Sequence, residues 1–516
     1  MVMPMTSDIQ TPKSEEVAPL AWRPLGSKPV PPGAEVLEQT LADVRQKIYA
    51  RSVVGIFARW RIALVLLTQA LFYGLPWLNW NGRQAVLFDL GARKFYIFDM
   101  VLWPQDVIYL ALLLIISALG LFLFTAVAGR LFCGYACPQT VYTEIFMWIE
   151  RKVEGDRVAR IRLDESPLSA RKLRIKATKH ALWLVVAFWT GFSFIGYFAP
   201  IRSLAHDLLA LSLGPWQWFW LVFYSFATWG NAGFLREQVC KYMCPYARFQ
   251  SVMVDRDTLV VTYDVTRGEP RGARSRKVDH RAQGMGDCVD CSICVQVCPT
   301  GIDIRQGLQY MCIGCGACVD ACNQVMDKLD YPKGLIRYTS ERGILENLSP
   351  QAIRKSLFRP RVLIYSTLML ILVAIFIGSL ATRTTLRVDV IRDRGMLGRE
   401  VAGGLIENVY RLQLINASEQ ALVLSLGVEG VPGMTVALAD RTSIPLAGTK
   451  QGEQEQSTSR ILVPSASNRL IAVVVRAPAE SAKPGPQPIR FMTKSLGPDG
   501  AVLTEVNEAS SFIFPN

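Results

Sequence analysis

The chain is poor in histidine and in charged residues, and its cysteines are confined to one part of the sequence. Three histidines among 516 residues are too few for the ligands of a multi-haem protein or a histidine-rich metal site. Charged residues make up 19% of the chain and hydrophobic residues 51%, which argues against disorder and against an ordinary soluble enzyme. All 12 cysteines lie in four tight clusters between Cys133 and Cys322, a distribution typical of metal ligands rather than of a disulfide framework.

Five long uncharged stretches stand out in the sequence. They cover residues 62–82, 107–129, 181–201, 208–235 and 362–381. Each reaches the roughly 20 residues that a helix needs to cross about 30 Å of hydrocarbon, so we predict five transmembrane helices. Residues 1–45, by contrast, are rich in proline and contain no apolar core of a signal peptide, which predicts a disordered tail.

The placement of the basic residues predicts the orientation in the membrane. The net charge of +13 could serve nucleic-acid binding, but Lys and Arg concentrate before the first stretch and between the second and third. The segments 83–106 and 202–207 carry few basic residues. The positive-inside rule therefore places the N-terminus and the longer loops in the cytoplasm and residues 383–516 outside. We expect a multi-pass protein of a bacterial inner membrane that contacts lipid and binds no nucleic acid.

Residues 385–516 have the pattern of an all-β domain. Short apolar or alternating runs occur there at 409–416, 421–428, 433–438, 460–463 and 470–475. Gly, Pro, Asn and Ser separate these runs, and the spacing predicts an immunoglobulin-like β-sandwich in the periplasm. Because the segment contains neither cysteine nor histidine, we expect a structural or partner-binding role and no chemistry of its own.

Eight of the cysteines form a repeated ferredoxin pattern within residues 256–345. The run Cys288-x2-Cys291-x2-Cys294-x3-Cys298-Pro299 recurs, without the final proline, as Cys312-x2-Cys315-x2-Cys318-x3-Cys322. In bacterial ferredoxins, three cysteines of one run and the fourth of the other hold each [4Fe–4S] cluster. The predicted ligand sets are Cys288, Cys291, Cys294 and Cys322 for one cluster, and Cys312, Cys315, Cys318 and Cys298 for the other. A zinc site would leave the third cysteine of each run unexplained, so we predict a cytoplasmic electron-transfer domain with two clusters.

The remaining four cysteines form a second repeat within residues 46–255. Cys133-Gly-Tyr-Ala-Cys137-Pro138 and Cys240-Lys-Tyr-Met-Cys244-Pro245 each follow a predicted span at its cytoplasmic end. Cysteines at i and i+4 would share one helical face and could grip one ion. Soft thiolates favour Cu(I) or an iron–sulfur centre, and four converging thiolates would also suit zinc or a third cluster. A structural role for small buried cysteines is the alternative, but the duplication favours metal or redox chemistry.

These features together resemble the FixG/CcoG/RdxA family of accessory proteins for the assembly of cbb3-type cytochrome c oxidase. The resemblance rests on both C-x-Y-x-C-P repeats, both ferredoxin runs, the segment Arg-Gly-Glu-Pro-Arg-Gly at 267–272, and Asn408-x-Tyr410 in the β-rich tail. It extends over nearly the whole chain after the proline-rich tail. The resemblance implies that the protein reduces Cu(II) to Cu(I) for delivery to the oxidase. It also implies that copper is handled at four catalytic cysteines, Cys133, Cys137, Cys240 and Cys244.

The predicted fold is a polytopic α-helical membrane protein with five transmembrane helices, an inserted cytoplasmic ferredoxin domain and a C-terminal immunoglobulin-like sandwich. Four helices precede the ferredoxin domain, and the fifth lies within residues 346–384. The implied partners are a cytoplasmic electron donor, a copper chaperone or transporter, and oxidase subunits, and a homodimer is compatible with the sequence. Two other functions stay open: a quinol-linked ferredoxin of an electron-transfer chain, and a non-enzymatic assembly scaffold.

Overall fold

The structure is a computed structural model that describes residues 47–274, 282–355, 358–392, 398–439, 460–481, 483–497 and 500–515. The tail predicted at 1–45 lies outside the described residues. The chain divides into two compact units, and all the cysteines fall in the first. The cysteine unit comprises the residues up to Gly74, Leu113–Ile195 and Ser212–Val373. The sandwich unit comprises Leu75–Leu112, Gly196–Leu211 and Ala374–Asn516.

Helices form most of the cysteine unit. In chain order, the α-helices that the structure describes are α1 (Ile56–Gly74), α2 (Val107–Ala128), α3 (Leu131–Tyr135), α4 (Pro138–Glu154), α5 (Arg157–Glu165), α6 (Ala170–Ile195), α7 (Ile201–Leu209), α8 (Pro215–Gly230), α9 (Pro245–Met253), α10 (Val265–Gly268), α11 (Ile293–Gln296), α12 (Ala317–Leu329), α13 (Glu341–Leu345), α14 (Pro350–Lys355) and α15 (Pro360–Ala381). Two π-helical turns, Asn231–Leu235 and Val239–Met243, connect α8 to α9. Short 3-10 turns cover Leu75–Trp77, Pro104–Asp106, Ile304–Gln306 and Ala479–Ser481.

Three helices among the described residues are long and apolar enough to cross a membrane: Ile56–Trp77, Pro104–Ala128 and Pro360–Ala381. They indicate membrane association, but the prediction of five spans is not confirmed. The stretches predicted as the third and fourth spans do form helices, α6 and α8. Helix α6 has 26 residues, but its first half is strongly basic. Helix α8 has 16 residues, which cover about 24 Å at 1.5 Å per residue and so fall short of the roughly 30 Å of hydrocarbon.

The segment 79–106, which the sequence analysis assigns to the end of the first span and to a loop, forms strands in the sandwich unit. These strands are β1 (Asn79–Trp80), β2 (Arg83–Gln84), β3 (Val86–Asp89), β4 (Lys94–Ile97) and β5 (Met100–Leu102). β1 pairs with β2, and β3, β4 and β5 form an antiparallel sheet. Trp103, after β5, packs with Ile415 and Ala417 in a small core. The buried carboxylate of Asp106 accepts hydrogen bonds from Arg383 at 2.6 Å and from Arg387 at 2.7 Å.

Two antiparallel sheets enclose the main core of the sandwich unit. Their strands are β8 (Leu386–Arg392), β9 (Arg399–Val401), β10 (Leu405–Asn416), β11 (Leu422–Glu429), β12 (Thr435–Leu438), β13 (Arg460–Val463), β14 (Asn468–Pro478), β15 (Gly485–Leu496) and β16 (Val502–Phe514). One sheet has the order β12-β14-β10-β8, with β9 beside β10, and the other has the order β13-β11-β15-β16. Tyr410, Val473, Phe491 and Phe512 are fully buried in the shared core. The predicted β-rich C-terminus is therefore confirmed, and β10 to β14 coincide with the predicted runs.

The ferredoxin segment packs directly on the first helix of the cysteine unit. Its short strands β6 (Val260–Tyr263) and β7 (Ile336–Thr339) pair antiparallel beside the cysteine loops. Asp320, on α12, accepts a hydrogen bond from the backbone nitrogen of Ala58 at 2.8 Å and so caps the N-terminus of α1. The backbone nitrogen of Arg51 donates to the carbonyl of Gln296 at 2.8 Å. These contacts fix the ferredoxin segment against the helices.

Candidate metal and electron-transfer centres

The two ferredoxin loops have the same backbone shape. Asp290 and Ser292 in the first loop have φ of 51° and 53°, and Gly314 and Gly316 at the equivalent positions of the second have φ of 64° and 71°. Glycine reaches this left-handed region without strain, whereas other residues need support from the surrounding structure. The repetition of an unusual backbone conformation at matched positions indicates that the two loops bind the same kind of group.

A cavity of the cysteine unit brings together the first predicted ligand set. Its lining includes Cys288, Cys291, Cys294 and Cys322. Cys322 lies on α12, far from the other three in sequence, and burial and the three neighbouring thiols raise its pKa to about 12. The crossed set predicted from the spacing therefore shares one cavity.

A second cavity brings together the other predicted set. Cys298, Cys312, Cys315 and Cys318 line it, together with apolar side chains that include Ile302 and Ile304. Burial raises the pKa of Cys318 well above its usual range, and the three other thiols of the set add to the effect. Both crossed groups are thus present as neighbouring cysteines in largely apolar surroundings, with Cys291 exposed to solvent.

The donor chemistry of both cavities fits a [4Fe–4S] cluster. Each is lined by one complete crossed set of four cysteines and by apolar side chains, which is the usual setting of such clusters in proteins, and Cys294 of the first set also reaches the second cavity. Within the described residues, no three Cys, His, Asp or Glu side chains stand close enough to hold a single metal ion. A four-iron cube holds its thiolates further apart than one ion does, so this spacing is compatible with cubes in both cavities.

The backbone of the C-x-Y-x-C-P repeats differs from the prediction. Cys133 lies in α3, but Cys137 has an extended backbone with ψ of 128°. Cys240 lies in a π-helical turn, and Cys244 is extended with ψ of 111°. The expectation of two cysteines on one α-helical face is therefore wrong. The reason is that a proline disfavours the helical conformation of the residue before it, so the helix is broken at each second cysteine.

The four cysteines of these repeats nevertheless converge, and we call this cluster the four-thiol site. Burial raises the pKa of Cys240 to about 12, and the thiols of Cys137, Cys133 and Cys244 add to that shift. Burial likewise raises the pKa of Cys133 to about 11. The two repeats, more than a hundred residues apart in sequence, thus bring their thiols close enough to influence one another's ionisation.

Two polar side chains border the four-thiol site. Gln250 on α9 is fully buried, and its Oε1 accepts a hydrogen bond from the Cys133 thiol at 3.4 Å. Its Nε2 has no hydrogen-bond partner among the described residues. Arg130 donates from Nη2 to the carbonyl of Ala247 at 2.6 Å. Burial lowers the pKa of Arg130, and the thiols of both the four-thiol site and Cys312 oppose that shift, so its cation lies near both groups of cysteines.

Helix α3 contacts the second ferredoxin loop without an intervening layer. A Cβ added at Gly134 would lie 2.8 Å from the carbonyl oxygen of Ile313 and 3.0 Å from the Cα of Cys315. Tyr135 Oη donates to the carbonyl of Cys315 at 3.2 Å. Cys133 packs in the same apolar cluster as Ile313 and Cys315. The four-thiol site and the second ferredoxin cavity are therefore adjacent.

Sequence reasoning missed Arg130, Gln250 and Gly134. Each lies within a few residues of a cysteine repeat or just after it, but an arginine, a glutamine or a glycine at a helix end has many ordinary explanations. Only their contacts with partners distant in sequence distinguish them.

Three family models match the chain. A 4Fe-4S dicluster domain matches residues 235–341, and a 4Fe-4S binding domain matches residues 110–154, which include Cys133 and Cys137. The immunoglobulin-like fold at the C-terminus of FixG matches residues 376–515. Two of the three matches thus concern iron–sulfur binding, and the third identifies the sandwich.

Relatives of similar length share most of the chain. The nitrogen fixation protein FixG of Rhizobium meliloti is 38% identical over 434 residues, which cover 78% of this chain and 83% of that protein. Protein RdxA of Cereibacter sphaeroides is 38% identical over 81% of this chain and 90% of its own length. Protein RdxB of the same organism is 39% identical over 81% of this chain and 93% of its own length. The chain therefore belongs to the FixG/RdxA family and is an iron–sulfur electron-transfer protein.

Proposed function

We propose that the protein reduces Cu(II) to Cu(I) at the four-thiol site and supplies Cu(I) for the assembly of a cbb3-type cytochrome c oxidase. The observation that carries this proposal is the direct contact of α3, through Gly134 and Cys133, with the loop of Cys312 and Cys315. A site of soft ligands beside a one-electron carrier is the arrangement that reduction of a metal ion requires.

The eight ferredoxin cysteines would hold two [4Fe–4S] clusters in the crossed sets that line the two cavities. These clusters supply one-electron transfer when bound. The protein contributes the left-handed loop residues that shape each cavity and the apolar walls that exclude water. Asp320 and Arg51 hold the ferredoxin segment against the helices, which keeps the second cavity beside the four-thiol site.

Copper is the substrate of the four-thiol site in this proposal. Each Cu(II) ion takes up one electron and becomes Cu(I), a soft ion that as few as two thiolates can hold. Such a site does not require three close side chains, which the described residues do not provide. Arg130 places a positive charge beside thiols that lose their protons and become anionic thiolates when they bind metal. Gln250 is fully buried at Cys133, and its amide orients the sulfur by hydrogen bonding, as the outer partners of metal ligands commonly do.

The proposal includes the predicted topology. Helix α6, and α8 together with the π-helical turn Asn231–Leu235 that directly continues it, would complete five crossings, with the N-terminus and the ferredoxin segment in the cytoplasm. The basic residues before α1 and between α2 and α6 support this orientation through the positive-inside rule. The sandwich unit would then lie in the periplasm, where a copper acceptor or oxidase subunits could contact it.

An anaerobic copper-reduction assay tests the proposal. Purified protein is loaded with clusters, reduced with dithionite, freed of excess reductant and mixed with Cu(II) in the presence of a chromophoric Cu(I) chelator. We expect Cu(I) to appear in step with the reoxidation of the clusters, which is followed by their visible absorbance. Clusters that stay reduced in excess Cu(II) would rule out the proposed activity.

A variant with serine at all four positions of the four-thiol site locates the reaction. The changes Cys133→Ser, Cys137→Ser, Cys240→Ser and Cys244→Ser should abolish copper reduction while the cluster absorbance and iron content of the ferredoxin cavities persist. A serine variant that reduces Cu(II) as fast as the parent protein would place the reaction elsewhere.

A third [4Fe–4S] cluster at the four-thiol site is the second candidate. The match of a 4Fe-4S binding domain to residues 110–154, which carry Cys133 and Cys137, favours it. Iron analysis separates the two: two cubes contain about eight iron atoms per chain and three contain about twelve. Eight irons with one tightly bound copper would support the copper site, and twelve irons would support the third cluster.

A further inference from the structure

A further cavity of the cysteine unit, separate from the two ferredoxin cavities, has no role in the copper chemistry proposed above. It has a volume of about 330 Å³ and lies between α4, α6 and the π-helical turn Asn231–Leu235. Its lining includes Glu150, His180, Trp183, Phe234 and Arg236. A volume of a few hundred Å³ is the ordinary size of a small-molecule site, and π-helical turns occur frequently at functional sites.

Three rings form the aromatic wall of this cavity. The imidazole of His180 stacks on Phe234 with a centroid distance of 5.7 Å and an interplanar angle of 15°. It also meets Trp183 edge-on at 5.1 Å. Phe234 is 56% exposed, so this wall continues onto the apolar outer surface of the helices. Such a wall suits a flat ring that arrives from an apolar phase.

The charges at the floor of the cavity are already paired. Glu150 is fully buried and accepts hydrogen bonds from Arg160 at 3.0 Å and from Arg236 at 3.1 Å. Lys179 lies 2.9 Å from the carboxylate of Glu154. A phosphate or carboxylate ligand would find each of these cations bound to an acid, so the floor favours a neutral ligand.

Two hydrogen-bond acceptors in the cavity lack a donor. Within the described residues, Nδ1 of His180 is buried without a hydrogen bond, and so is Oε1 of Glu150, whose nearest cation is Nζ of Lys179 at 3.8 Å. Buried polar atoms usually have hydrogen-bond partners in folded proteins, and a ligand with two donors in this cavity would supply both of the missing ones. A hydroquinone offers two hydroxyl donors on a flat, neutral ring.

The side chain of Gln139 connects the cavity to the four-thiol site. Nε2 of Gln139 donates to the carbonyl oxygens of Asn231 and Arg236 at 2.9 and 3.0 Å. Gln139 follows Cys137 by two residues, and Arg236 precedes Cys240 by four. The same π-helical connection therefore borders both sites.

We propose that this cavity binds a quinol, which serves as the electron donor of the protein. The inference rests on the proposed copper reduction, for which it names the reductant. One quinol loses the hydrogens of its two hydroxyl groups and becomes a quinone, and two Cu(II) ions become two Cu(I) ions. The two O–H bonds break, two protons are released to water, and the two electrons leave one at a time. His180 Nδ1 accepts the first proton, and Glu150 accepts the hydrogen bond of the second hydroxyl.

The test compares two reductants of the same cluster-loaded protein. A short-chain ubiquinol should bleach the cluster absorbance and produce Cu(I), as dithionite does. The change His180→Phe keeps the aromatic stack and removes the acceptor, so it should slow the ubiquinol reaction by about tenfold or more, while dithionite bypasses the cavity. His206→Phe is the matched control, because His206 is well exposed to solvent.

A binding measurement gives a readout independent of catalysis. The short-chain ubiquinone should quench tryptophan fluorescence in a saturable way, and Phe234→Ala as well as His180→Phe should weaken that binding. If dithionite reduces the clusters but ubiquinol does not, the inference is overturned and the copper proposal stays intact. If ubiquinol reduces the clusters but Cu(II) does not reoxidise them, only the copper proposal is overturned. Equal ubiquinol rates and binding in His180→Phe and the parent would also overturn the assignment of this cavity.

Discussion

Gly134 is the point at which the four-thiol site and the second ferredoxin loop approach each other most closely, and Gly134→Ala tests that approach. The added methyl group would lie 2.8 Å from the carbonyl oxygen of Ile313 and 3.0 Å from the Cα of Cys315. Both are backbone atoms, so no side-chain rotation can relieve the overlap. Either α3 or the cysteine loop must move by a few tenths of an ångström or more.

The magnitude follows from two opposing effects. Overpacking of this kind costs roughly 1–3 kcal/mol. Alanine in place of glycine in a helix regains up to about 1 kcal/mol. We therefore expect a net loss of up to about 2 kcal/mol in the stability of the cysteine unit, together with slower electron transfer to copper because the two sites separate.

Two measurements on Gly134→Ala check this expectation. Thermal unfolding in detergent should show a lower melting temperature, and stopped-flow mixing of reduced protein with Cu(II) should show slower Cu(I) formation. Gly230→Ala is the matched control, since Gly230 ends α8 and a Cβ there would meet nothing within 4 Å. If Gly134→Ala matched Gly230→Ala in both stability and rate, the proposed electron path across this contact would be refuted.

Three further predictions concern buried polar contacts. Gln250→Leu removes the amide beside Cys133 and should weaken Cu(I) binding by about 10–100-fold in a chelator competition, whereas unchanged affinity would exclude Gln250 from the site. Asp106→Asn removes the buried carboxylate that pairs with Arg383. Denaturant titration should show that the free energy of unfolding of the sandwich unit falls by about 3–5 kcal/mol, and a loss below about 1 kcal/mol would contradict the pairing. Burial alone would raise the pKa of Glu407, but hydrogen bonds from its two arginine partners lower it below the usual value. The stabilisation that ionised Glu407 provides should therefore be complete above about pH 4.3 and disappear as the pH falls through the lowered pKa. The melting temperatures of the parent and Glu407→Gln should then converge in acid. A difference in melting temperature that stays constant with pH would contradict this prediction.

The sequence predicts local features well because their geometry is contained in short segments. The ferredoxin spacing alone groups Cys322 with the three cysteines of the first run, and the structure brings these four thiols to one cavity. The alternating runs after residue 405 locate β10 to β14. The same reasoning is wrong for Cys133 and Cys137, because the i and i+4 rule assumes a continuous helix and the proline after Cys137 prevents one.

Prediction from hydropathy is less successful for the helices. Uncharged stretches long enough to span a membrane occur at both 181–201 and 208–235, yet α8 has only 16 residues before the backbone changes to a π-helical turn. The lack of charge shows where a helix can be buried, but where it ends depends on backbone conformation and packing. The strands at 83–106 escaped prediction for a similar reason, since their apolar residues pack against partners such as Ile415 that are distant in sequence.

The sequence by itself determined the soft ligands, their grouping into crossed ferredoxin sets, the family and the all-β tail. These follow from residue type and from spacings of a few residues, which the covalent chain enforces. Only the tertiary structure decided that the cysteines of the two C-x-Y-x-C-P repeats lie near one another, that Gly134 lies against the loop of Cys315, and that His180 and Glu150 line a separate cavity. Those neighbours are tens to hundreds of residues apart, and no local pattern specifies them, because their proximity arises from the packing of whole helices.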